Sequence, residues 1–160
     1  MTPETSQEPI EFTFQGRRLT ARLARTDVVV PGVTCDTRKF DETNSIDLGT
    51  IHLEATPEGT CTPVQEVMLG ENWEGYEPKP GNGRGRLVVR RKGGRWDPPY
   101  EVNEEMESFE PVRLEVGDVM QWQAAPGSEL HPFEVCKPPF SPDEERFRTL
   151  EGRLEPPTTS

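Results

Sequence analysis

Short runs of alternating apolar and polar residues recur along most of the chain. The alternation is regular in Ile10–Phe14, and Leu48–Ala55 places Ile51 and Leu53 on one face with His52 on the other. A period of two residues is typical of a β-strand that buries one of its faces. The pattern predicts about ten such strands, and 17 prolines with 14 glycines supply the turns between them.

The strands fit a single predicted domain. A chain of 160 residues is long enough for one hydrophobic core, and we place the domain at residues 10–150. Within it, residues 33–46 are polar and are predicted to form a loop. Residues 1–9 and 151–160 are also polar, and we expect a disordered N-terminal tail and a flexible C-terminal tail. These elements predict an all-β barrel or jelly roll.

The charge of the chain limits its partners. The formal net charge is -11 and the sequence pI is about 4.7. An acidic surface repels phosphate backbones and anionic lipid, so we expect neither a nucleic-acid partner nor a membrane partner. No apolar run approaches the ~20 residues that span a bilayer, and the N-terminus lacks the pattern of a signal peptide. We therefore expect a cytoplasmic protein.

The three cysteines agree with that expectation. Cys35, Cys61 and Cys136 are an odd number and show no C-x-x-C spacing. This usage favours reduced thiols that pack as small hydrophobic residues. We expect neither Cys61 nor Cys136 to be a nucleophile.

The stretch Gly117–Phe140 resembles the last strands of a cupin. Gly117-Asp118 opens a strand, a Pro-Gly turn follows, and the stretch ends in Cys136-Lys-Pro-Pro-Phe140. The resemblance extends back to about Thr56. It implies a double-stranded β-helix, the jelly-roll barrel of cupins, with one short C-terminal helix at Pro142–Leu150. It also implies a homodimer, in which residues 10–30 extend the sheet or cross to the partner.

The first cupin motif has two histidines and a glutamate, and the chain departs from it. Gln65 stands where the family has its first histidine, and Val67 stands at the second. Counting onward from these positions selects Glu71 as the motif glutamate, whereas counting back from the final motif glycine selects Glu74. Both glutamates remain candidates.

The second cupin motif ends in a histidine, and the chain retains one at His131. Pro126 and His131 keep the five-residue offset of the motif, although the glycine spacing before them is altered. His131 is thus either a remnant metal ligand or a residue of an edge strand. Because a catalytic metal site needs about three suitable ligands, we expect no cofactor. The alternative is a divalent transition metal on Gln65, one of the two glutamates and His131.

A barrel that has lost its metal still encloses a cavity. Apolar walls with a few convergent polar groups are typical of small-molecule sites. The simpler interpretation is that the aromatic residues belong to the hydrophobic core and that the polar residues are exposed to solvent. The predicted ligand-binding residues are Gln65, Trp73, Tyr76, Arg86, Trp122 and Phe133.

Three functions follow from the resemblance. The first is a metal-free isomerase, epimerase or cyclase, in which His131 pairs with Glu74 or Glu71 as acid and base. The second is a sensor or carrier that binds a small molecule without chemistry. The third is a metal-dependent cupin. Because cupins host many activities on one barrel, the fold does not choose among them.

Overall fold

The computed structural model describes residues 8–139 and 145–157, and these form strands, turns and loops without a helix. They include no helix long and apolar enough to cross a membrane. Among them the strands are β1 (Ile10–Phe14), β2 (Arg17–Val30), β3 (Val33–Phe40), β4 (Asp47–Leu53), β5 (Val64–Val67), β6 (Glu71–Tyr76), β7 (Gly85–Arg90), β8 (Tyr100–Val102), β9 (Val112–Glu115), β10 (Val119–Ala124), β11 (Pro132–Lys137) and β12 (Phe147–Leu150).

The strands form two antiparallel sheets that pack face to face. The larger sheet has the order β1-β2-β3-β4-β11-β6-β9, and the smaller has the order β12-β5-β10-β7-β8. The main core takes apolar side chains from both sheets, including Leu53 and Tyr76 from the larger and Leu87 and Trp122 from the smaller. The predicted all-β jelly-roll barrel is confirmed.

A second apolar layer covers the outer face of the larger sheet. Phe12 and Phe14 of β1 reach over this sheet and contact the outward residues of its central strands. The Phe12 ring packs edge-on against Phe133 at 5.0 Å between centroids, and the Phe14 ring packs edge-on against Trp73 at 5.1 Å. The larger sheet therefore buries apolar residues on both faces.

The strand β2 is long enough to serve two regions. Its first half belongs to the outer layer, where Leu19 and Ala21 are buried. A bulge between Leu23 and Arg25 changes the register against β3. A bulge of this kind bends the strand and increases its twist. The second half of β2 thereby reaches the barrel opening.

Two local predictions were wrong. The polar segment predicted as a loop at residues 33–46 contains β3, which pairs with β2 and β4 along its length. The predicted C-terminal helix is absent from residues 145–150, because Phe147–Leu150 forms β12 and pairs with β5. Without β12, the edge of β5 would leave backbone N–H and C=O groups unpaired. In addition, Phe147 of β12 packs against the main core. Residues 142–144 of the predicted helix lie outside the described residues.

The chain remains attached to the barrel after β12. Leu154 is buried, and its amide donates to Gln121 Oε1 at 2.8 Å. Its carbonyl accepts a hydrogen bond from Gln123 Nε2 at 2.9 Å. These contacts hold the described part of the C-terminal segment on the outer face of the smaller sheet.

Candidate functional site

A cavity of about 310 Å³ opens into the barrel. Strands β2, β3, β4 and β11 of the larger sheet form one wall, and residues at β5 and β12 form the other. This volume lies at the lower end of the range typical of small-molecule sites. Val33, Ile51 and Phe147 supply apolar lining, while Thr37 and Gln65 supply polar groups.

Gly49 keeps part of this cavity open. It lies on β4, opposite Glu134 of β11 and opposite Thr37 of β3. A Cβ atom at this position would lie 3.1 Å from Glu134 Cγ and 3.3 Å from Cys35 Sγ. Both distances are shorter than ordinary van der Waals contacts, so even an alanine would press on the two side chains.

Two glutamates meet at the inner end of the cavity. Glu74 of β6 and Glu134 of β11 are directly opposite each other across the strand pair. Their carboxyl groups are hydrogen-bonded. Glu74 is fully buried, whereas Glu134 is half-buried and borders the cavity. Glu134 is therefore the member of the pair that a bound molecule can touch.

The environment of this carboxyl pair favours retention of a proton. Burial raises the pKa of Glu74 well above its usual range, and the nearby Glu134 charge raises it further. Burial also raises the pKa of Glu134, although the hydrogen bond from Glu74 acts in the opposite direction. Two carboxyl groups this close do not both ionise readily. Both effects favour retention of one proton by the pair at a pH at which a solvent-exposed glutamate has lost it.

Two further side chains fix the orientation of Glu74. Trp122 Nε1 donates a hydrogen bond of 2.9 Å to Glu74 Oε1. Asn72 Nδ2 lies 3.5 Å from Glu74 Oε2, at the long limit of a hydrogen bond. Both contacts favour the charged form of Glu74 and partly oppose the effect of burial on its pKa. Glu74 is thus positioned behind Glu134, away from the cavity.

The opening of the cavity carries an ion pair. Arg25 and Asp27 lie two residues apart on β2, and Arg25 Nη2 donates to Asp27 Oδ1 at 2.8 Å. Both residues line the cavity and are also in contact with solvent. A ligand that enters the barrel therefore passes an ion pair before it reaches Glu134.

Two of the three cysteines also line the cavity. Burial raises the pKa of the Cys35 thiol, and the Glu134 charge adds to this effect. The pKa of Cys136 is raised well above its usual range for the same two reasons. Only the thiolate is a strong nucleophile or metal ligand. Cys35 and Cys136 are therefore neutral polarisable groups of the cavity wall.

Some of the predicted site residues lie inside the barrel. Gln65 lines the cavity, and Tyr76 and Trp122 lie in the core beside Glu74. The Tyr76 hydroxyl donates to the carbonyl of Gly83 at 2.5 Å, so it is already engaged in a structural contact.

The other predicted site residues point away from the cavity. Trp73 and Phe133 belong to the outer apolar layer, and Glu71 forms an ion pair with Arg113. Arg86 lies on the outer face of the smaller sheet, where its Nε donates to Gln123 Oε1 at 2.8 Å.

The structure does not bring His131 together with either candidate glutamate. His131 stacks on the outward side chain of His52, on the face of the sheet opposite Glu74. Glu71 is near the far end of the β6–β11 pair, where it is opposite Lys137. The acid/base pairs predicted from the sequence are therefore not assembled in this structure.

The barrel is that of the cupins. A cupin-2 domain protein of Rhodospirillum rubrum, Rru_A2000, superposes with a TM-score of 0.53 at 11% identity, over 88% of this chain and 79% of that one. The capsular polysaccharide assembling protein CapF of Staphylococcus aureus gives 0.55 at 14% identity, over 94% of this chain and 35% of its own. An oxalate decarboxylase gives 0.58 at 13% identity, over 82% and 32%.

The chain has the cupin fold, as the resemblance predicted. It spans only about a third of the length of CapF and of the oxalate decarboxylase. No protein-family model matches the sequence, and no curated protein matches it significantly. At these identities the likeness concerns the fold alone, and the site has to be judged from its own residues.

The donors inside the barrel do not fit a transition-metal ion. The cavity offers the Glu134 carboxyl, the carboxylates of Asp27 and Asp47, which are ion-paired with Arg25 and Lys39, an amide at Gln65 and two neutral thiols. Such ions prefer imidazole, thiolate or free carboxylate ligands. Both histidines of the chain lie outside the barrel, where His52, Glu129 and His131 form a separate cluster.

Proposed function

We propose that the chain binds a small organic molecule in the barrel cavity, without a metal ion, and that Glu134 exchanges a proton with it. The observation that carries the proposal is the hydrogen-bonded carboxyl pair at the inner end of a cavity of about 310 Å³. Glu134 faces the ligand, and Glu74 holds or releases the shared proton behind it.

The raised pKa values make this pair suitable for acid/base chemistry. A carboxylic acid that keeps its proton near neutral pH can donate it to a carbonyl or hydroxyl oxygen. Once it has donated, Glu134 can accept a proton from another position of the same molecule, while Glu74 holds or releases the shared proton behind it. Isomerisation and epimerisation proceed by such proton movements. In a cyclisation the acid would protonate the carbonyl oxygen as a nucleophile of the same molecule adds to the carbonyl carbon and its π bond breaks. The catalytic proposal is therefore an enzyme of this class.

The lining of the cavity limits the ligand class. Apolar contacts from Val33, Ile51 and Phe147 suit a compact carbon skeleton, and Thr37 with Gln65 suits neutral hydrogen-bonding groups. A strongly anionic group next to Glu134 would repel the carboxyl pair. We therefore expect a neutral polar molecule with at least one carbonyl or hydroxyl group near Glu134.

A binding module without chemistry is the second candidate. The observation in its favour is that Glu74 is fully buried behind Glu134 and is engaged by Trp122. Only one carboxyl group then meets the ligand. A sensor or carrier would use the same cavity and the same hydrogen bonds, and it would release the ligand unchanged.

The test begins with a thermal-shift screen of neutral metabolites. The wild type is compared with Gly49→Ala, which presses on Glu134 and Cys35, and with Glu134→Gln, which removes the acid. Glu71→Gln is the matched control, because it removes a carboxyl group from the outer face of the barrel. We expect both cavity variants to weaken or abolish the shift and the control to retain it. Ligands that shift all four proteins equally would contradict binding in the cavity.

Any ligand found is then incubated with the protein in deuterated water and followed by NMR. Conversion of the ligand, or exchange of one of its C–H protons, supports the enzyme if Glu134→Gln abolishes it. Recovery of the unchanged ligand supports the sensor or carrier. Conversion that survives Glu134→Gln would contradict the catalytic assignment while leaving the binding proposal intact.

A further inference from the structure

The outer face of the larger sheet brings the two histidines of the chain together. Leu53 and Leu130 exchange backbone hydrogen bonds of 2.9 and 3.1 Å. The neighbouring residues His52 and His131 are therefore opposite each other at the next position along this strand pair, which is not hydrogen-bonded. Side chains at such positions approach most closely in an antiparallel pair. The two imidazole rings stack with 4.5 Å between centroids and 9° between planes.

A carboxylate completes the cluster. Glu129 is two residues before His131, and its Oε1 lies 3.0 Å from His52 Nε2 and 3.1 Å from His131 Nε2. One ligand atom from each residue lies within 4.8 Å of the other two. The three side chains thus present two imidazole nitrogens and one carboxylate oxygen to one point in space.

We propose that His52, Glu129 and His131 bind a zinc ion on the outside of the barrel. Zinc takes nitrogen ligands at about 2.0–2.1 Å and carboxylate oxygen at similar distances in tetrahedral geometry, so its ligand atoms are about 3.3 Å apart. The observed separations of 3.0 and 3.1 Å need only a small outward movement of the side chains. Water or a ligand group fills the fourth position.

The surroundings agree with an open cation site. The side chains of His52, Glu129 and His131 are 41%, 54% and 35% exposed, so an ion reaches them directly from solvent. A groove of about 350 Å³ borders the two histidines and leaves room at the fourth position. The formal net charge of -11 also attracts cations to the surface.

This site is independent of the barrel cavity. His52 points outward from β4, whereas Gly49 and Ile51 of the same strand line the cavity. Zinc binding outside the barrel and ligand binding inside it are thus separable by mutation. Failure of one proposal leaves the other standing.

The test is isothermal titration of zinc chloride into the untagged chain of 160 residues. We expect one zinc per chain. His52→Gln and His131→Gln should each lower the zinc affinity by more than about tenfold, because loss of a residue that only supports a metal ligand already lowers affinity by about that factor. Glu129→Gln should weaken it as well. The matched controls Glu134→Gln and Cys61→Ser remove potential ligands elsewhere and should bind zinc as the wild type does.

A cobalt titration provides a second measurement. Cobalt(II) in a tetrahedral nitrogen and oxygen site absorbs in the visible region, and thiolate ligands would add a charge-transfer band in the near ultraviolet. We expect the visible bands alone, and their loss in His131→Gln with an unchanged far-ultraviolet circular dichroism spectrum. Absence of stoichiometric zinc binding, or binding that both histidine variants retain, would overturn the proposal.

Discussion

Replacing Glu74 by glutamine perturbs the buried carboxyl pair while preserving its packing. The amide oxygen of Glu74→Gln can accept the 2.9 Å hydrogen bond that Trp122 Nε1 now donates to Glu74 Oε1. Its amide nitrogen can donate to Glu134, so the hydrogen bond between positions 74 and 134 is retained. The substitution therefore removes chiefly the ability of position 74 to lose a proton.

The direction of the stability change follows from the raised pKa of Glu74. Burial is the main cause of that rise, so the folded protein holds the proton more tightly than the unfolded chain. Glutamates of an unfolded chain have a pKa of about 4.3. The contribution of protonated Glu74 to the free energy of unfolding is complete below that pH, and it is lost as the pH rises toward the folded-state pKa of Glu74. At a pH above the folded-state and unfolded-state pKa values, each unit by which the folded-state pKa is the higher lowers the free energy of unfolding by about 1.4 kcal/mol.

The wild type and the variant should therefore diverge with pH. At pH 4 we expect their free energies of unfolding to agree within about 1 kcal/mol, the usual cost of a conservative change. Between pH 5 and pH 8 the variant should become progressively more stable relative to the wild type, because burial raises the pKa of Glu74 well above its ordinary value. For a chain of this size, each kcal/mol gained raises the Tm by about 2–4 °C.

Urea unfolding at four or five pH values between 4 and 8 measures this difference directly. Glu71→Gln is the control, since it removes a carboxyl group from the outer face of the same strand. The free energy of unfolding of Glu71→Gln should show no gain over that of the wild type as the pH rises. A difference in the free energy of unfolding between the wild type and Glu74→Gln that stays constant from pH 4 to pH 8 would contradict a raised pKa, because Glu74 would then titrate alike in the folded and unfolded states.

Three further predictions concern the packing around the site. Phe14→Ala should lower the free energy of unfolding by about 3 kcal/mol in urea titrations, because it leaves a gap beside the Trp73 ring; a loss below about 1 kcal/mol would contradict the covering role of β1. Trp122→Phe removes the hydrogen bond to Glu74 and should cost about 1–3 kcal/mol. Cys35 and Cys136 should react with iodoacetamide at pH 8 far more slowly in the native than in the urea-unfolded chain, whereas equal rates would show that the thiols are accessible.

The barrel itself could be predicted because its strands follow the simple alternation of a half-buried sheet. Leu48–Ala55 was expected as a strand with Ile51 and Leu53 on one face, and β4 has both in the core with His52 outside. The cupin-like stretch that begins at Gly117 supplied the jelly-roll arrangement, which the two packed sheets confirm. Local pattern and global fold agree in this part of the chain.

The strand β3 could not be predicted from its hydrophobic pattern. Its inward residues include Cys35 and Thr37, which face a cavity and not a dry core, and its outward residues include Asp36. A strand that lines a polar cavity has little reason to alternate between apolar and polar residues. The segment therefore reads as a loop although it is a central strand of the larger sheet.

The importance of Glu134 was missed for a related reason. Phe133 and Val135 flank it, so the usual interpretation places these two residues in the core and Glu134 in solvent. In the structure β1 covers the outer face with its own aromatic residues, and Phe133 and Val135 pack there. Glu134 therefore points inward. Only the three-dimensional arrangement of β1 over the sheet shows which face of β11 is directed toward the cavity.

The C-terminal strand shows how tertiary contacts override local composition. The acidic segment that ends at Leu150 fits a helix by its residues and by the cupin resemblance. The edge of β5, however, has backbone groups that need partners, and Phe147–Leu150 supplies them. No property of the segment alone predicts that pairing.

The proposed function depends on a carboxyl pair that holds a proton inside the barrel near neutral pH. The most direct measurement is the NMR titration of the side-chain carboxyl carbons in protein labelled with ¹³C-glutamate, with Glu74→Gln and Glu134→Gln used for assignment. We expect at least one of these two carboxyl groups to stay protonated through pH 7, because burial raises the pKa of both. Titration of both groups near the ordinary glutamate value of about 4.3 would contradict it.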